Sequence, residues 1–441
     1  MSKLRLVLPA LVALVFAVGL GACGSDDESG GGGSTTADIT GGEETLDLVI
    51  GDSLPLSGDL ADFGPPGQKA ADIAVDQINS AIDEAGVDHT VSIVHEDNCG
   101  GADQQCAVQA ARKLVDSEGA SCIAGAWASS DSIPVARSVS IREGVLQISP
   151  ASTSAEITDL EDNGLMNRTP PADNLQGPAL ASFVEKSLGG AKGKTVAVAG
   201  RNDSYGEGLT GFFVDAWEAK GGKVTGPTLY DPTAASYDSD AQKIVSGNPD
   251  AYVIVDFPET FVKVGPALER TGTWDPSKTF ITDGLASSSL PDDVGVSVVD
   301  GMQGTAPGTP TTGEPSKAFG KLYTSSDPKN VGRQTFDAQN FDAVVLCYLA
   351  AVAAGSTDGQ DMADALQDVT APPGTKYTWE QLPEAVKALE NGDDIDYVGA
   401  SGDINLDDNG DPTVGVYDEL EFKGSKLTTT GQIPAEASNG G

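Results

Sequence analysis

From Leu46 onward, short runs of apolar or β-branched residues alternate with longer stretches whose apolar positions recur every three or four residues. The short runs at 46–53, 90–96, 121–125, 145–149, 195–200, 223–229, 251–257 and 279–282 have the length and composition of strands. In the longer stretches Ala71, Ala74, Val75, Ile78 and Ile82 share one helical face, and Leu209, Phe212, Phe213, Ala216 and Trp217 repeat the pattern. Regular alternation of strand and helix predicts parallel sheets covered by helices on both faces. Four such units precede Asn167-Arg168-Thr169-Pro170-Pro171 and four follow it. The pattern predicts an α/β chain of two doubly wound parallel-sheet lobes.

The first residues follow a different rule. Lys3 and Arg5 precede an apolar run from Leu6 to Val18, and the segment closes on Leu20-Gly21-Ala22-Cys23. That order reads as a signal peptide over 1–22, broken by Pro9 and short of the ~20 apolar residues that a stable span needs. Its end resembles the lipobox of bacterial lipoproteins, which implies cleavage before Cys23 and lipid on that cysteine. Residues 23–45 are mostly Gly, Ser, Thr and acids, the composition of a flexible tether.

Composition narrows the function. Lys+Arg number 26 against 66 Asp+Glu, a formal net charge of −40, which repels nucleic acid and anionic membrane surfaces. The only histidines are His89 and His95, so a histidine-based triad or a multi-histidine zinc site is not expected. With Cys23 assigned to lipid, four cysteines remain, and these can pair in three ways. Cys99 and Cys106 flank a Gly-Gly-Ala-Asp loop and are the first choice of bridge. Cys122, in a strand-like run, and Cys347, in a helix-like one, also suit plain core thiols.

Open α/β sheets bind ligands at the carboxyl ends of their strands. Those ends carry Ser53-Leu54, Asp97-Asn98, Trp127 to Ser130, Pro150 to Thr153, Asn202 to Gly206, Phe257 and Asp283-Gly284. Hydroxyls, exposed backbone N–H groups, an acid and aromatics suit a small polar molecule or zwitterion, and no nucleophile–base pair accompanies them. Gly206-x-Gly208-x-x-Gly211 has the dinucleotide spacing, but it starts several residues after the strand and reads as a helix opening. The acidic stretch 403–411 lacks the glutamate that closes a calcium loop, and its Asn409-Gly410 reads as a hairpin turn. No metal and no cofactor are expected. Asp283 is either a cap or a carboxylate aimed at a ligand cation. Phe63, Tyr205, Phe257 and Phe336 suit a core individually, but their place at strand or loop ends favours a site.

Taken in order, the segments 50–73 (IGDSLPLSGDLADFGPPGQKAADI), 149–158 (SPASTSAEIT), Asn167-Arg168-Thr169, 204–209 (SYGEGL), Phe341-Asp342-Ala343 and 402–411 (GDINLDDNGD) resemble a known family. It is that of the solute-binding lipoproteins of ABC importers for branched-chain amino acids, the type I periplasmic binding proteins. The similarity runs over 46–423. It implies a Venus-flytrap fold of two lobes joined by three crossovers near Thr169, Ala306 and Gly399. The implied boundaries are 46–168 plus 307–399 for the N-terminal lobe, 169–306 plus 400–430 for the C-terminal lobe, and a disordered tail over 431–441.

The resemblance to the leucine-binding members also implies a site. A ligand carboxylate would meet the Ser129 hydroxyl and the Ala151-Ser152-Thr153 stretch. The ammonium would meet the Ala151 carbonyl and Asp283, Tyr205 and Phe257 would close over the ligand, and Phe63, Trp127 and Phe336 would line its side-chain pocket. Implied partners are an amino acid, an ABC permease with its ATPases, and a lipid anchor on the outer face of the cytoplasmic membrane, with a monomer expected. No enzyme activity is expected. The alternatives are the same fold binding an amide, urea or amine-free carboxylic acid, or a surface ligand sensor.

Overall fold

The computed structural model of this chain describes residues 45–436. The expected signal peptide, Cys23, nearly all of the tether and residues 437–441 lie outside the described residues.

All eight predicted strands form. The first sheet holds β1 (Asp47–Leu54), β2 (Thr90–Asp97), β3 (Cys122–Ala124), β4 (Leu146–Ser149) and the unforeseen β5 (Met166–Arg168). They are parallel, in the order β2-β1-β3-β4-β5. The second sheet takes β6 (Thr195–Arg201), β7 (Lys223–Tyr230), β8 (Ala251–Val255), β9 (Thr279–Ile281) and β10 (Gln303–Pro307), parallel in the order β7-β6-β8-β9-β10. A separate pair, β11 (Thr375–Thr378) and β12 (Ile395–Val398), flanks the first lobe, whose core includes Ile395 and Tyr397. A hairpin, β13 (Val414–Lys423) and β14 (Lys426–Glu436), then extends the second sheet antiparallel to β10. The second lobe is therefore mixed rather than wholly parallel. The hairpin turns at Gly424, where φ is 61°.

The helix Gly64–Ala85 buries Ala71, Ala74, Val75, Ile78 and Ile82, the face its periodicity predicts, and ends at Gly86 with φ 77°. The helix Asp337–Ala354 is buried on nearly every side in the first core, against β1, β3, β4 and Gly64–Ala85. Among the described residues no single helix is long and apolar enough to cross a membrane.

Three segments carry the chain between the sheets, two of them where expected: after Arg168 and after Pro307. The third lies later than the resemblance implied. Ala400, Ile404 and Leu406 stay in the first core, and the chain joins the second sheet only at Val414. The cause is Arg168, fully buried, whose N–H donates to the Gly410 carbonyl (3.1 Å) and whose Nε donates to Asp411 Oδ1 (2.6 Å). A Cβ at Gly410 would stand 2.4 Å from Asn167 Oδ1, so glycine is required where this turn meets β5. The expected disordered tail is also corrected, because residues 431–436 belong to β14 and pair with β13.

Cys99 and Cys106 are bridged as the loop suggested, with Cα atoms 6.0 Å apart. Cys122 and Cys347 are bridged too, at 5.9 Å, so the core-thiol reading is overturned. The sequence separation of 225 hides a contact that the packing of Asp337–Ala354 against β3 creates. Denatured but unreduced protein should show none of these four thiols to a thiol reagent, and peptide mapping should recover Cys122 linked to Cys347. Replacing both Cys122 and Cys347 by Ala should lower the thermal midpoint by roughly 5–10 °C. A free Cys122 thiol would refute the second bridge.

Candidate functional site

The carboxyl ends of both sheets point into one cleft. From the first lobe, β3 leads to Trp127 and Ala128, the helical segment begins at Ser129, and β4 leads to Ala151. From the second, β6 leads to the helix Ser204–Ala219 with Tyr205, β8 to Phe257, and β9 to Asp283. The helix opens as predicted from its glycine pattern, with the Asp203 side chain capping the Gly206 N–H at 2.9 Å.

Eight of the ten expected ligand residues wall one narrow cavity of about 20 Å³: Phe63, Trp127, Ser129, Ala151, Tyr205, Phe257, Asp283 and Phe336. Ala128 and Gly284, from the strand ends named in the sequence, join them, as does Leu60, which nothing in its type marks. Ser152 and Thr153 do not line it. The Ser152 hydroxyl is engaged inside the first lobe with Ser132 Oγ (2.7 Å) and the Trp127 carbonyl (3.0 Å). Thr153 is buried one position further on, its Oγ1 without a hydrogen-bond partner in the chain, and its carbonyl accepts the Asp173 N–H at 2.8 Å.

The polar floor and the aromatic walls are set separately. Ser129 Oγ accepts the Ser154 N–H at 3.2 Å, which leaves its own proton to donate. Arg168 fixes the 151–154 loop from behind, with Nη1 donating to the Ser154 carbonyl at 2.8 Å. Tyr205 and Phe257 stack with centroids 5.0 Å apart and planes 13° apart. Trp127 meets Phe336 edge-on at 6.4 Å. A Cβ at Gly67 would sit 2.4 Å from Trp127 Cζ2, so the indole depends on that glycine. Phe336 holds φ 71° at the start of Asp337–Ala354, an unusual conformation for a bulky residue and of the kind that concentrates at binding sites.

The acids carry the chemistry. Asp283 is buried and accepts from Gln176 Nε2 (2.6 Å) and the Tyr205 hydroxyl (3.0 Å), both neutral groups. Burial pushes its carboxyl up to about 6 against those hydrogen bonds. Asp173, missed in the sequence, is fully buried with neither oxygen hydrogen-bonded in the chain. Burial, then the charge of Asp283, pushes it up to about 8. Its signal was local and ambiguous, an acid at a helix start that reads as a cap. The lobes meet over this cleft: Ser154 Oγ donates to the Ser204 carbonyl (3.0 Å), and Thr335 Oγ1 to the Ala286 carbonyl (3.1 Å).

Comparison with known proteins follows this geometry. The family model for periplasmic binding proteins matches residues 48–380. The leucine-, isoleucine-, valine-, threonine- and alanine-binding protein of Pseudomonas aeruginosa is 34% identical over 155 residues, which span 35% of this chain and 39% of that relative. The Leu/Ile/Val-binding protein homolog 1 of Brucella abortus is 26% identical over 74% of this chain and 84% of its own. Among solved structures, a leucine-binding protein of Thermotoga maritima superposes with TM-score 0.71 at 23% identity, covering 88% of this chain and 98% of that one. A Streptococcus pneumoniae branched-chain amino acid binding protein in complex with isoleucine gives 0.70 at 20% identity, with 88% and 99% covered.

Burial also raises Asp131 and Asp256 to about 7 and Asp342 to about 6. Together with Asp173 and Asp283, these carboxyls bind protons more tightly folded than unfolded, so the native state holds more protons between about pH 4 and 8. Stability is therefore fullest at the acid end of that window and falls as pH rises. The thermal midpoint should be higher near pH 5.5 than near pH 8, and Asp173→Asn should flatten the slope. A midpoint that climbs across this range would contradict the assignment.

Proposed function

This chain belongs to the periplasmic binding protein family, and from that membership we propose that it captures a small amino acid of branched-chain type by closing two lobes over it. It is a binding protein rather than an enzyme. The observation that carries the reading is a single cavity in which the Ser129 hydroxyl and Ala151 of one lobe face the buried Asp283 of the other.

The two halves suit the two ends of a zwitterion. A ligand carboxylate accepts from Ser129 Oγ, which lines the cavity beside Ala151 and keeps its proton free to donate. The ammonium lies toward Asp283, where a charge-assisted hydrogen bond contributes roughly 1.5–3 kcal/mol. Tyr205 and Phe257 cover the ligand backbone, and Phe63, Trp127 and Phe336 receive an aliphatic side chain. Contacts to both lobes let the ligand shift the balance between open and closed forms. The relatives that bind leucine, isoleucine or valine support this ligand class. The leader, Cys23 and the tether support a lipoprotein held on the outer face of the cytoplasmic membrane, delivering its ligand to an ABC permease.

Thermal shift is the direct test, because a ligand stabilises the native state by RT ln(1 + [L]/Kd). With co-purified ligand removed, L-leucine, L-isoleucine or L-valine should raise the midpoint, and 4-methylpentanoate, leucine without its amine, should not. Asp283→Asn should weaken L-leucine binding by at least about tenfold. Affinity should also rise with pH through about 6 as Asp283 ionises, opposite in sign to the fall in stability. A response to amine-free acids or amides alone would keep the cavity and discard the amino acid.

A further inference from the structure

Arg201 ends β6 and is fully buried. Within its own lobe it donates from Nε to Asp203 (2.8 Å) and from Nη1 to Thr260 Oγ1 (2.6 Å), and Asp256 stands 3.8 Å away. The remaining nitrogen, Nη2, leaves the lobe and donates to Asp59 Oδ2 at 2.7 Å, in the loop after β1. Among the described residues this is the one ion pair that joins the first lobe to the second. The guanidinium also lies 4.2 Å from the centre of Phe257, the ring stacked on Tyr205 over the cavity. The Glu259 N–H reaches the Asp59 carbonyl across the same gap at 3.5 Å.

We infer that Asp59 is a positioning residue for ligand capture: its ion pair with Arg201 forms on lobe closure and holds Phe257 over the site. The charges make the contact reversible. Arg201 keeps Asp203 as a counter-ion in its own lobe at 2.8 Å, so parting from Asp59 leaves no bare buried cation. The Asp59 side chain, 13% exposed in the closed form, returns to water when the lobes separate. Asp131 faces the pair from the first lobe, its Oδ2 on the Gly101 N–H at 2.6 Å and its Oδ1 unpartnered. Asp59 thus supplies a contact to the second lobe that no ligand atom makes. It lowers the ligand contacts needed for closure without altering which ligand fits.

The test compares full-length wild type with Asp59→Asn and Asp59→Glu, and its ligand arm rests on the amino-acid reading above. Without ligand, hydrogen exchange read at the Glu259 amide reports closure directly. Exchange should be faster in Asp59→Asn, recover in Asp59→Glu, and differ less between wild type and Asp59→Asn at high salt, which screens the pair. With L-leucine, Asp59→Asn should raise Kd about tenfold, mainly through faster dissociation, with the melting temperature of the ligand-free protein unchanged. Equal Glu259 exchange in wild type and Asp59→Asn, or tighter L-leucine binding in the variant, would overturn the assignment. If L-leucine binds neither protein, the ligand class fails while the exchange arm still decides the role of Asp59.

Discussion

An acid taken out of water keeps its proton unless a cation comes with it, and the cleft of this protein is organised around that constraint. Arg201 meets it on one side, fully buried and paired with Asp59 and Asp203. On the other side Asp283 and Asp173 sit among neutral partners and aromatic rings, and burial holds both carboxyls above their ordinary range. In the proposed complex, a ligand ammonium would favour the ionised form of Asp283 without taking it out of the interior.

The architecture follows from having to assemble that environment from two halves. Parallel strands deliver their carboxyl ends to one edge, so every loop that leaves a strand there can contribute a side chain to the cleft. Neither half is complete alone. Ser129 and Ala151 have no acid within their own lobe's part of the cavity, and Asp283 has no hydroxyl floor opposite it until the lobes meet. Arg168 stabilises one half from behind, where it ties the 151–154 loop to the turn at Gly410 and Asp411. On the proposed reading, binding and closure are consequently coupled, with the ligand as the last piece of the interface.

Much of this was legible in the sequence because it is local. Alternating runs announced the eight strands, and residue type at strand ends, taken with the family resemblance, picked out eight residues that share the cavity. What was hidden depends on pairings distant in the chain. β13 pairs with β10 and β14 with β13 only through tertiary contact, so residues 431–436 could not be told from a tail. The bond between Cys122 and Cys347 needs two elements 225 residues apart to touch. The contact between Arg201 and Asp59 joins residues 142 positions apart, which no local pattern announces. Asp173 wore the appearance of a helix-start acid while its carboxyl is turned away from solvent. Ser152 was drawn in by its neighbours, although its hydroxyl faces the first core.

Specificity at such a site is asymmetric. Phe63, Trp127, Phe336 and Leu60 offer an apolar wall, against which one methylene more or less changes binding by only about 1–3 kcal/mol. Leucine, isoleucine and valine differ by that much or less, so discrimination among them is shallow. Removing the amine from the proposed ligand is a different matter, because it leaves the buried Asp283 carboxyl, held by the neutral Gln176 and Tyr205 donors, facing no cation. The same walls therefore tolerate variation in the side chain while the buried acid is strict about the backbone. On the proposed reading, that ordering follows from dielectric and hydrogen-bond capacity, and the amine rather than the aliphatic chain would define the ligand class.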